Sequence, residues 1–456
     1  MGTTSSAMTS HHASFADLED AALEPIVRPG RLYWFIAAQL GLLVLIGVIA
    51  GARQLRDGLG VTGLNNRVSW ATYEANIVYF IGLGYGGAVT SAILRLTNAP
   101  WRAPLTRLAE AMALVTLAIG SLFPILHLGR PDRVFNMMIH AQVGSPLVWD
   151  MVAISTYMAA TIVFLYLPLI PDLALCRDRL GPVAGNLRRA LYQVLSLGWE
   201  GTPAQKRILE RNMTIVAVVI IPLAVSVHSV LAWLFAMNSR AGWNSTIYGP
   251  YFVIAALYSG VATVILVVAG FRHAYRLHPY IGPQHFKYLA NIMLVLGLAY
   301  CYFTAAEFLT EGYKMEGFGE GEGAGSLLDA MLLGRYAPLF WGWAIVGMAL
   351  PLGLIMVPRT RTVPWIVIAS AIIVVGMWVK RLLIVVPPMA NPIMPTEWAS
   401  YWPSVTELSI TMAGMAAVPL GLMIFFRLFP ILSVYEIEEV AEAAHGSSGH
   451  GTVQEG

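Results

Sequence analysis

The sequence predicts an all-α, polytopic membrane protein with about ten transmembrane helices. Of its 456 residues, 57% are hydrophobic and only 12% are charged, whereas soluble domains carry about 25% charged residues. Ten apolar stretches are each long enough to cross a bilayer, which takes roughly 20 residues in a helix. The net charge of +2 is not gathered on one face, so the composition argues against a nucleic-acid-binding protein.

The apolar stretches define ten predicted spans and the domain limits. The spans cover residues 31–51, 70–94, 106–128, 147–170, 213–237, 250–272, 286–310, 337–357, 363–387 and 405–430. We expect spans 2–5 (about 70–237) and spans 6–9 (about 250–387) to form two four-helix bundles, with spans 1 and 10 flanking them. The membrane domain (31–430) then lies between an N-terminal segment (1–30) and a C-terminal tail (431–456).

Lysine and arginine set the predicted orientation, because short cytoplasmic loops are enriched in them. If segment 1–30 is cytoplasmic, the inner segments carry the excess of these residues, and loop 171–212 contributes most of it. We therefore expect both termini in the cytoplasm. The first part of the chain lacks an apolar core, so no cleaved signal peptide is expected.

Cysteine usage limits the redox chemistry that this chain can carry alone. Cys176, in the predicted inner loop, and Cys301, in span 7, cannot supply the four thiolates of an iron–sulfur cluster, and we expect no disulfide between them. No CxxCH motif for c-type haem occurs, and the histidines are not arranged in pairs at two depths for b-type haem. Electrons from a redox reaction would therefore pass to a partner.

His127 and Asp150 are the leading candidates for chemistry. His127 ends span 3 in the string FPILHLGRPD, and Asp150 lies about one turn into span 4. The preceding Ser145-Pro146 has the form of a helix N-cap and first residue, and a helix N-terminus favours a carboxylate. Both residues lie on the predicted outer side, and we interpret them, with Trp149, as a proton-accepting site. The alternative is a cap aspartate and an interfacial histidine.

Further polar residues interrupt spans 5 and 9. His228 follows Pro222, where we expect a kink that frees a carbonyl, so the histidine either joins the site or bonds the backbone. Lys380 and Arg381 lie in the outer half of span 9. Adjacent cations there need a counter-charge or a cavity. We expect Lys380 to extend to the membrane surface, and Arg381 to hold a polar ligand or pair with Asp150.

Three acids and a glycine cluster complete the candidates. Glu74, at the outer start of span 2, and Glu307, near the outer end of span 7, are candidates for a proton path or simply face the interface. Glu110, at the inner start of span 3, is predicted to be a cap-region charge. Span 2 also contains four closely spaced glycines, which predict close helix packing because no strand precedes them. They are Gly82, Gly84, Gly86 and Gly87.

Five strings between Trp70 and Pro388 together resemble the NrfD-type, polysulfide-reductase membrane subunits. They are FPILHLGRP, SPLVWDMVAISTYMAATIVFLYLPLIPDLALCRDR, VSVHSVLAWLFA, GWNSTIYGPYFVIAALYSG and KRLLIVVPP. The SPLVWD string with its continuation is the specific part, whereas HLGRP is shared by many NrfD-type proteins. Within the family, the chain is most similar to the quinol-binding membrane subunits of bacterial alternative complex III.

The resemblance implies a ten-helix fold and a quinol site near the periplasmic face. It assigns His127 and Asp150 to that site and adds Arg381; we include Trp149 and His228 by position. It implies menaquinol as the substrate, an extracytoplasmic iron–sulfur subunit as electron acceptor, and c-type haem and other membrane subunits in one respiratory or photosynthetic complex.

One departure from the family pattern bears on proton transfer. Relatives often carry an acid after the VHS element, where this chain has Leu234, so a path through that position cannot be inferred. The leading hypothesis is quinol oxidation with proton release on the outer side. The alternatives are a structural anchor or proton-conducting subunit without its own quinol site, and a secondary transporter.

Overall fold

The chain is helical throughout its regular structure. The computed structural model describes residues 15–27, 29–181, 185–314, 327–393 and 397–449, and no strand occurs in these ranges. Ten helices are long and apolar enough to cross a membrane. The prediction of an all-α, multi-pass membrane protein is therefore confirmed. The outermost parts of the predicted terminal segments, 1–14 and 450–456, lie outside the described residues.

The ten spanning helices, α1 to α10, correspond one to one to the predicted spans. Their bounds are α1 Arg31–Asp57, α2 Thr72–Leu96, α3 Ala103–Gly120 with Leu122–His127, α4 Pro146–Leu180, α5 Pro203–Ala236, α6 Tyr248–Ala274, α7 Pro283–Lys314, α8 Ala337–Met356, α9 Val363–Ala390 and α10 Val405–Leu428. An N-terminal helix (Phe15–Val27) and a C-terminal helix (Val434–Gly449) lie outside the spans. Short helices occupy Asn136–Ile139, Asn186–Leu195 and Leu327–Leu332.

The predicted inner loop 171–212 is largely helical, which corrects the sequence-based boundaries. α4 continues to Leu180 and α5 already begins at Pro203. Thr202 caps α5 by accepting a hydrogen bond from the backbone N–H of Gln205. Charged residues end an apolar stretch but remain good helix formers, so both helices extend beyond the apolar residues. Cys176 consequently lies buried in α4 instead of in a loop.

Helix neighbours follow the two predicted four-helix bundles. α2 packs against α3 and α5, and α4 packs against the same two helices. In the second group, α6 packs against α7 and α9, and α8 packs against α7 and α9. α2 also contacts α6 and α9, while α1 and α10 pair with each other beside the bundles. The residue limits 70–237 and 250–387 for the bundles stay predictions.

Glycines on α2 allow this central helix to approach two neighbours closely. A Cβ on Gly86 would lie 2.3 Å from the Cα of Gly260 on α6, and one on Gly87 would lie 2.6 Å from the carbonyl oxygen of Ala109 on α3. Gly84 likewise meets the α3 backbone. Since no side chain fits at these separations, the predicted role of the glycines in close helix packing is confirmed.

Candidate functional site

The outer end of α2 directs an acidic side chain toward the end of α3. The Oε2 atom of Glu74 accepts a 2.8 Å hydrogen bond from the backbone N–H of Ala71, three residues earlier, in the manner of a helix cap. Its Oε1 atom lies 3.0 Å from Nδ1 of His127. The two groups are in close contact, although they are not aligned as a hydrogen bond. Glu74 and His127 thus form a pair that joins two helices.

His127 is the accessible member of this pair. Its side chain is 23% exposed, against 8% for the side chain of Glu74. The ring of Tyr73 packs edge-on to the imidazole, with centroids 6.4 Å apart. The Tyr73 hydroxyl donates a hydrogen bond to Gln54 of α1, whose amide nitrogen donates a 2.9 Å bond to the carbonyl of Leu126. This network fixes the α3 backbone beside His127 while leaving the imidazole edge open.

Asp150 lies on α4 without a cation from the described residues beside it. It is buried, and its Oδ1 atom has no hydrogen-bond partner among those residues. α4 begins at Pro146 with Ser145 at the N-cap, as predicted, but the Ser145 side chain makes no capping bond. Trp149 donates its indole N–H to the carbonyl of Val143 and so ties the preceding loop to α4. Asp150 is therefore a buried acid whose carboxyl oxygen is left for a further group.

His228 and Arg381 form a second polar group between α2, α5 and α9. A Cβ on Gly82 would lie 3.5 Å from Nε2 of His228 and 3.6 Å from a terminal nitrogen of Arg381, so both side chains reach the same gap on α2. Neither ring nitrogen of His228 has a partner in the described ranges, so of the two alternatives for this residue the bond to a backbone carbonyl is not formed. Arg381 donates a 3.2 Å bond to Met377 on its own helix and makes no ion pair with Asp150.

The prediction that Lys380 extends to the membrane surface is wrong. Lys380 is only 3% exposed, and its ammonium lies 4.4 Å from the ring centroid of Trp343 and 5.1 Å from that of Phe308. Aromatic faces stabilise a desolvated cation. Glu307 lines the same small cavity and accepts a 2.5 Å hydrogen bond from the Ser245 hydroxyl. Of the two proton-path candidates, Glu74 therefore belongs with His127 and Glu307 with Lys380.

A scan against family models matches residues 60–391 to "Polysulphide reductase, NrfD". The chain belongs to the NrfD family. The matched range contains Glu74, His127 and Asp150 and includes α2 to α9. This match confirms the resemblance to the NrfD family but does not single out a particular complex.

Three curated relatives of this NrfD-family protein extend over most of its length. A Halobacterium salinarum protein, provisionally named as a membrane subunit of dimethyl sulfoxide reductase, is 28% identical over 91% of this chain and 96% of its own. An Hdr-like menaquinol oxidoreductase integral membrane subunit of Archaeoglobus fulgidus is 23% identical over 84% and 90%, respectively. A menaquinone reductase integral membrane subunit of Nitratidesulfovibrio vulgaris is 23% identical over 84% and 88%.

In this NrfD-family protein, the other charges of the HLGRPD string face solvent. Arg130 and Asp132 form an exposed ion pair at 2.9 Å. The hydrogen bond from Arg130 lowers the pKa of Asp132 below its ordinary value. Only His127 of this string is turned toward Glu74. The string therefore combines one site residue with an exposed ion pair in the loop that follows.

Sequence reasoning missed Glu407, a fully buried acid at the outer start of α10. Its Oε1 atom accepts a 2.8 Å bond from the hydroxyl of Tyr401, which in turn lies 2.6 Å from the Thr72 hydroxyl. Its Oε2 atom accepts a 2.8 Å bond from the backbone N–H of Ser404. The Ser404-x-x-Glu407 capping box in the sequence could have signalled this position. Glu407 ties α10 to the start of α2, next to Glu74.

A second missed feature is a group of ion pairs at the opposite, predicted inner end, which we call the inner cluster. Glu436 of the C-terminal helix is fully buried and lies 2.6 Å from Arg95 and 2.9 Å from Arg102. Arg107 lies 2.8 Å from Asp172 of α4. The sequence shows these residues only as loop-flanking charges, because their pairing depends on residues more than 60 positions apart.

The surroundings of the inner cluster correct one further expectation and locate the C-terminal helix. Glu110 is buried two turns into α3, where it accepts a 2.9 Å bond from Ser91, so it is not a cap-region charge. The C-terminal helix is joined to this cluster, because Glu436 accepts hydrogen bonds from Arg95 of α2 and from Arg102, which precedes α3. On the same helix, burial raises the pKa of Glu439 to about 7, and the nearby Glu210 contributes to that rise.

Proposed function

We propose that this protein is the quinol-oxidising membrane subunit of an electron-transfer complex, with its quinol site formed by Glu74, His127 and Asp150 at the outer end of the first bundle. The observation that carries the proposal is the buried Oδ1 atom of Asp150, which has no partner in the described part of the chain. The partly exposed His127 lies on the same predicted outer side. A buried polar atom without a partner is costly unless a further group satisfies it.

The side chains suit a substrate with two hydroxyl groups and an aromatic ring. One quinol hydroxyl donates to the Nε2 atom of His127, whose Nδ1 faces Glu74, and the other donates to the Asp150 carboxylate. Oxidation of the quinol to the quinone releases two protons and two electrons. His127 and Asp150 accept the protons and pass them to the outer aqueous phase. The electrons leave to a redox centre in a partner subunit.

The ring contacts support the same placement. Tyr73 lies against the imidazole of His127, and Trp149 precedes Asp150 on the first turn of α4. Tyr73 is fully buried and holds the imidazole, whereas the half-buried Trp149 offers an apolar face on which a planar ring stacks. Arg381 and His228 face a different gap on α2, so in this proposal they influence the site through α2 and do not contact the quinol.

Menaquinol is the proposed substrate, because the named relatives from Archaeoglobus and Nitratidesulfovibrio are subunits of menaquinol- or menaquinone-linked enzymes. One relative is named for menaquinol and the other for menaquinone reduction, so the names do not fix the direction of the reaction. We place the oxidation at the periplasmic face of a bacterial inner membrane, with both termini cytoplasmic, and the Lys and Arg distribution and the predicted outer position of His127 support this placement. An iron–sulfur partner and c-type haem subunits, as in an alternative complex III-like assembly, complete the proposal.

The alternative is a structural anchor or proton-conducting subunit without its own quinol site. The buried Lys380 and the half-buried Glu307 of the second bundle favour charge movement there as a second candidate function. The two functions differ in what they require of His127, because only a quinol site needs this residue to accept a proton from the substrate.

The test is quinol-to-acceptor electron transfer by the purified, intact complex, wild type beside His127→Ala. We expect turnover to fall on the order of 100-fold, because a positioned proton acceptor contributes about that much or more. His278→Ala is the matched control, since His278 is exposed at the opposite end. Unchanged turnover in His127→Ala, with every subunit present at its normal ratio, would assign quinol oxidation to another subunit.

A further inference from the structure

A large apolar cavity separates the α1–α10 pair from the two bundles. Its volume is about 500 Å³, and it is lined by side chains of α1, α2, α6, α9 and α10. Its deep wall includes Tyr79 and Phe80 near the middle of α2, and its shallow end reaches Tyr33 and Tyr275 at the predicted inner side. An apolar cavity of about 150 Å³ already takes up a benzene molecule. This cavity is therefore large enough for a long hydrocarbon chain.

The protein does not fill this space with side chains. Gly270 lines the cavity, and a Cβ added there would meet no atom within 4 Å. Because Gly270 is itself exposed, the space is open at the helix surface there and is not a closed void inside the protein. In a bilayer, the available filler is hydrocarbon, because the surrounding lipid tails are as apolar as the lining residues.

The shallow end of the cavity is bordered by cationic residues. Arg427 interacts electrostatically with Tyr33 and Tyr275, which both line the cavity. Arg31 and Arg276 are exposed and are the chain neighbours of lining residues at the same end. The acid facing this group is the exposed Glu24 of the N-terminal helix, which interacts with Tyr275. The balance of charge at this end is positive.

We propose that this cavity is a binding site for an anionic phospholipid of the inner leaflet. One acyl chain occupies the space between the α1–α10 pair and the bundles, and the phosphate lies among Arg31, Arg276 and Arg427. Basic pockets between helices on the cytoplasmic side are suited to anionic headgroups. The lipid then completes the packing of α1 and α10, whose contact with the bundles is interrupted at this level.

The first test introduces a larger side chain into the cavity. Gly270→Leu places a side chain into open space, and Gly353→Leu is the matched control, because Gly353 is exposed on α8 and its added Cβ also meets nothing. Each complex is purified, exchanged into detergent and analysed for bound phospholipid by mass spectrometry. We expect wild type and Gly353→Leu to retain one anionic phospholipid per chain, and Gly270→Leu to retain at least fivefold less.

A second variant tests the headgroup contact without touching the cavity. Arg31→Gln with Arg276→Gln should lower the ratio of anionic to zwitterionic phospholipid retained, while the total changes less. Equal anionic phospholipid in Gly270→Leu and wild type, at equal thermal stability, would overturn the proposal. A loss of quinone in place of phospholipid would also overturn it and would assign the cavity to the substrate's isoprenoid tail. Neither readout depends on the proposed quinol oxidation.

Discussion

The two ends of the first bundle both bury carboxylates, but they differ in the group that faces each acid. In the inner cluster, Glu436 lies between two arginines and Asp172 contacts a third, all at 2.6 to 2.9 Å. Of the three residues proposed for the quinol site at the predicted outer end, Glu74 has a histidine, His127, as its ion-pair partner. Asp150 has no ion-pair partner among the described residues.

In our proposal, this difference separates a structural use of buried charge from a chemical one. Arginine remains charged at any physiological pH, so its acid partners stay ionised and the helices that carry them stay joined. A histidine gains and loses its proton near neutral pH and can serve as a proton acceptor. In our proposal, buried carboxylates thus stabilise the inner end of the bundle and take part in a reaction at the outer end.

The largest effect is expected from Asp150→Asn. The amide keeps the shape of the side chain but cannot accept a proton, so turnover with quinol should fall on the order of 100-fold or more. Thermal stability should stay within a few degrees of wild type, because no ion pair is lost. Steady-state turnover and the melting temperature of the purified complex check both parts. Wild-type turnover would remove Asp150 from the proposed site.

The inner cluster should respond in the opposite sense to Glu436→Gln. This change leaves Arg95 and Arg102 buried without their shared carboxylate, and the loss of one partner of a buried ion pair costs about 3 to 5 kcal/mol. We expect a lower melting temperature, with turnover per intact complex unchanged. Retained stability combined with lost turnover would contradict the structural assignment of this cluster.

A smaller effect, about tenfold in turnover, is expected from Glu74→Gln, because Glu74 orients His127 and does not itself receive the substrate proton in our proposal. The amide preserves the bond to the backbone of Ala71. The pH profile of turnover is the informative measurement, since the variant should change its alkaline or acidic limb. An unaltered profile with unaltered turnover would mean that the pair is not coupled to the reaction.

The smallest effect concerns pH and stability at the C-terminal helix. The pKa of Glu439 is raised to about 7, so the folded protein keeps a proton that the unfolded chain has already lost above its ordinary, lower pKa. Stability therefore falls as pH rises toward 7. Glu439→Gln should melt slightly higher than wild type at pH 8 and at the same temperature at pH 4. Melting curves at the two pH values test this, and a lower melting temperature at pH 8 would contradict it.

Hydropathy was sufficient to predict the ten helices, because only a run of about 20 apolar residues can cross a bilayer. It failed at the inner ends of α4 and α5, where helices continue through charged residues beyond the apolar pattern. The glycines of α2 predicted close packing, but not which neighbours they would meet. Gly86 faces α6, whereas Gly87 faces α3.

For the candidate site, the sequence by itself determined which residues share one side of the membrane, because alternation of the spans places the end of α3 on the same side as the starts of α2 and α4. It singled out His127 and Asp150 for a quinol site and Glu74 for a proton path, and the proposed site combines these three residues. Only the tertiary structure decided that His127 meets Glu74, that Asp150 has no cation beside it in the described ranges, and that Lys380 lies among aromatic rings. Helix depth is encoded locally in apolar length, whereas the rotation of each helix about its axis is fixed by packing against residues far away in the chain.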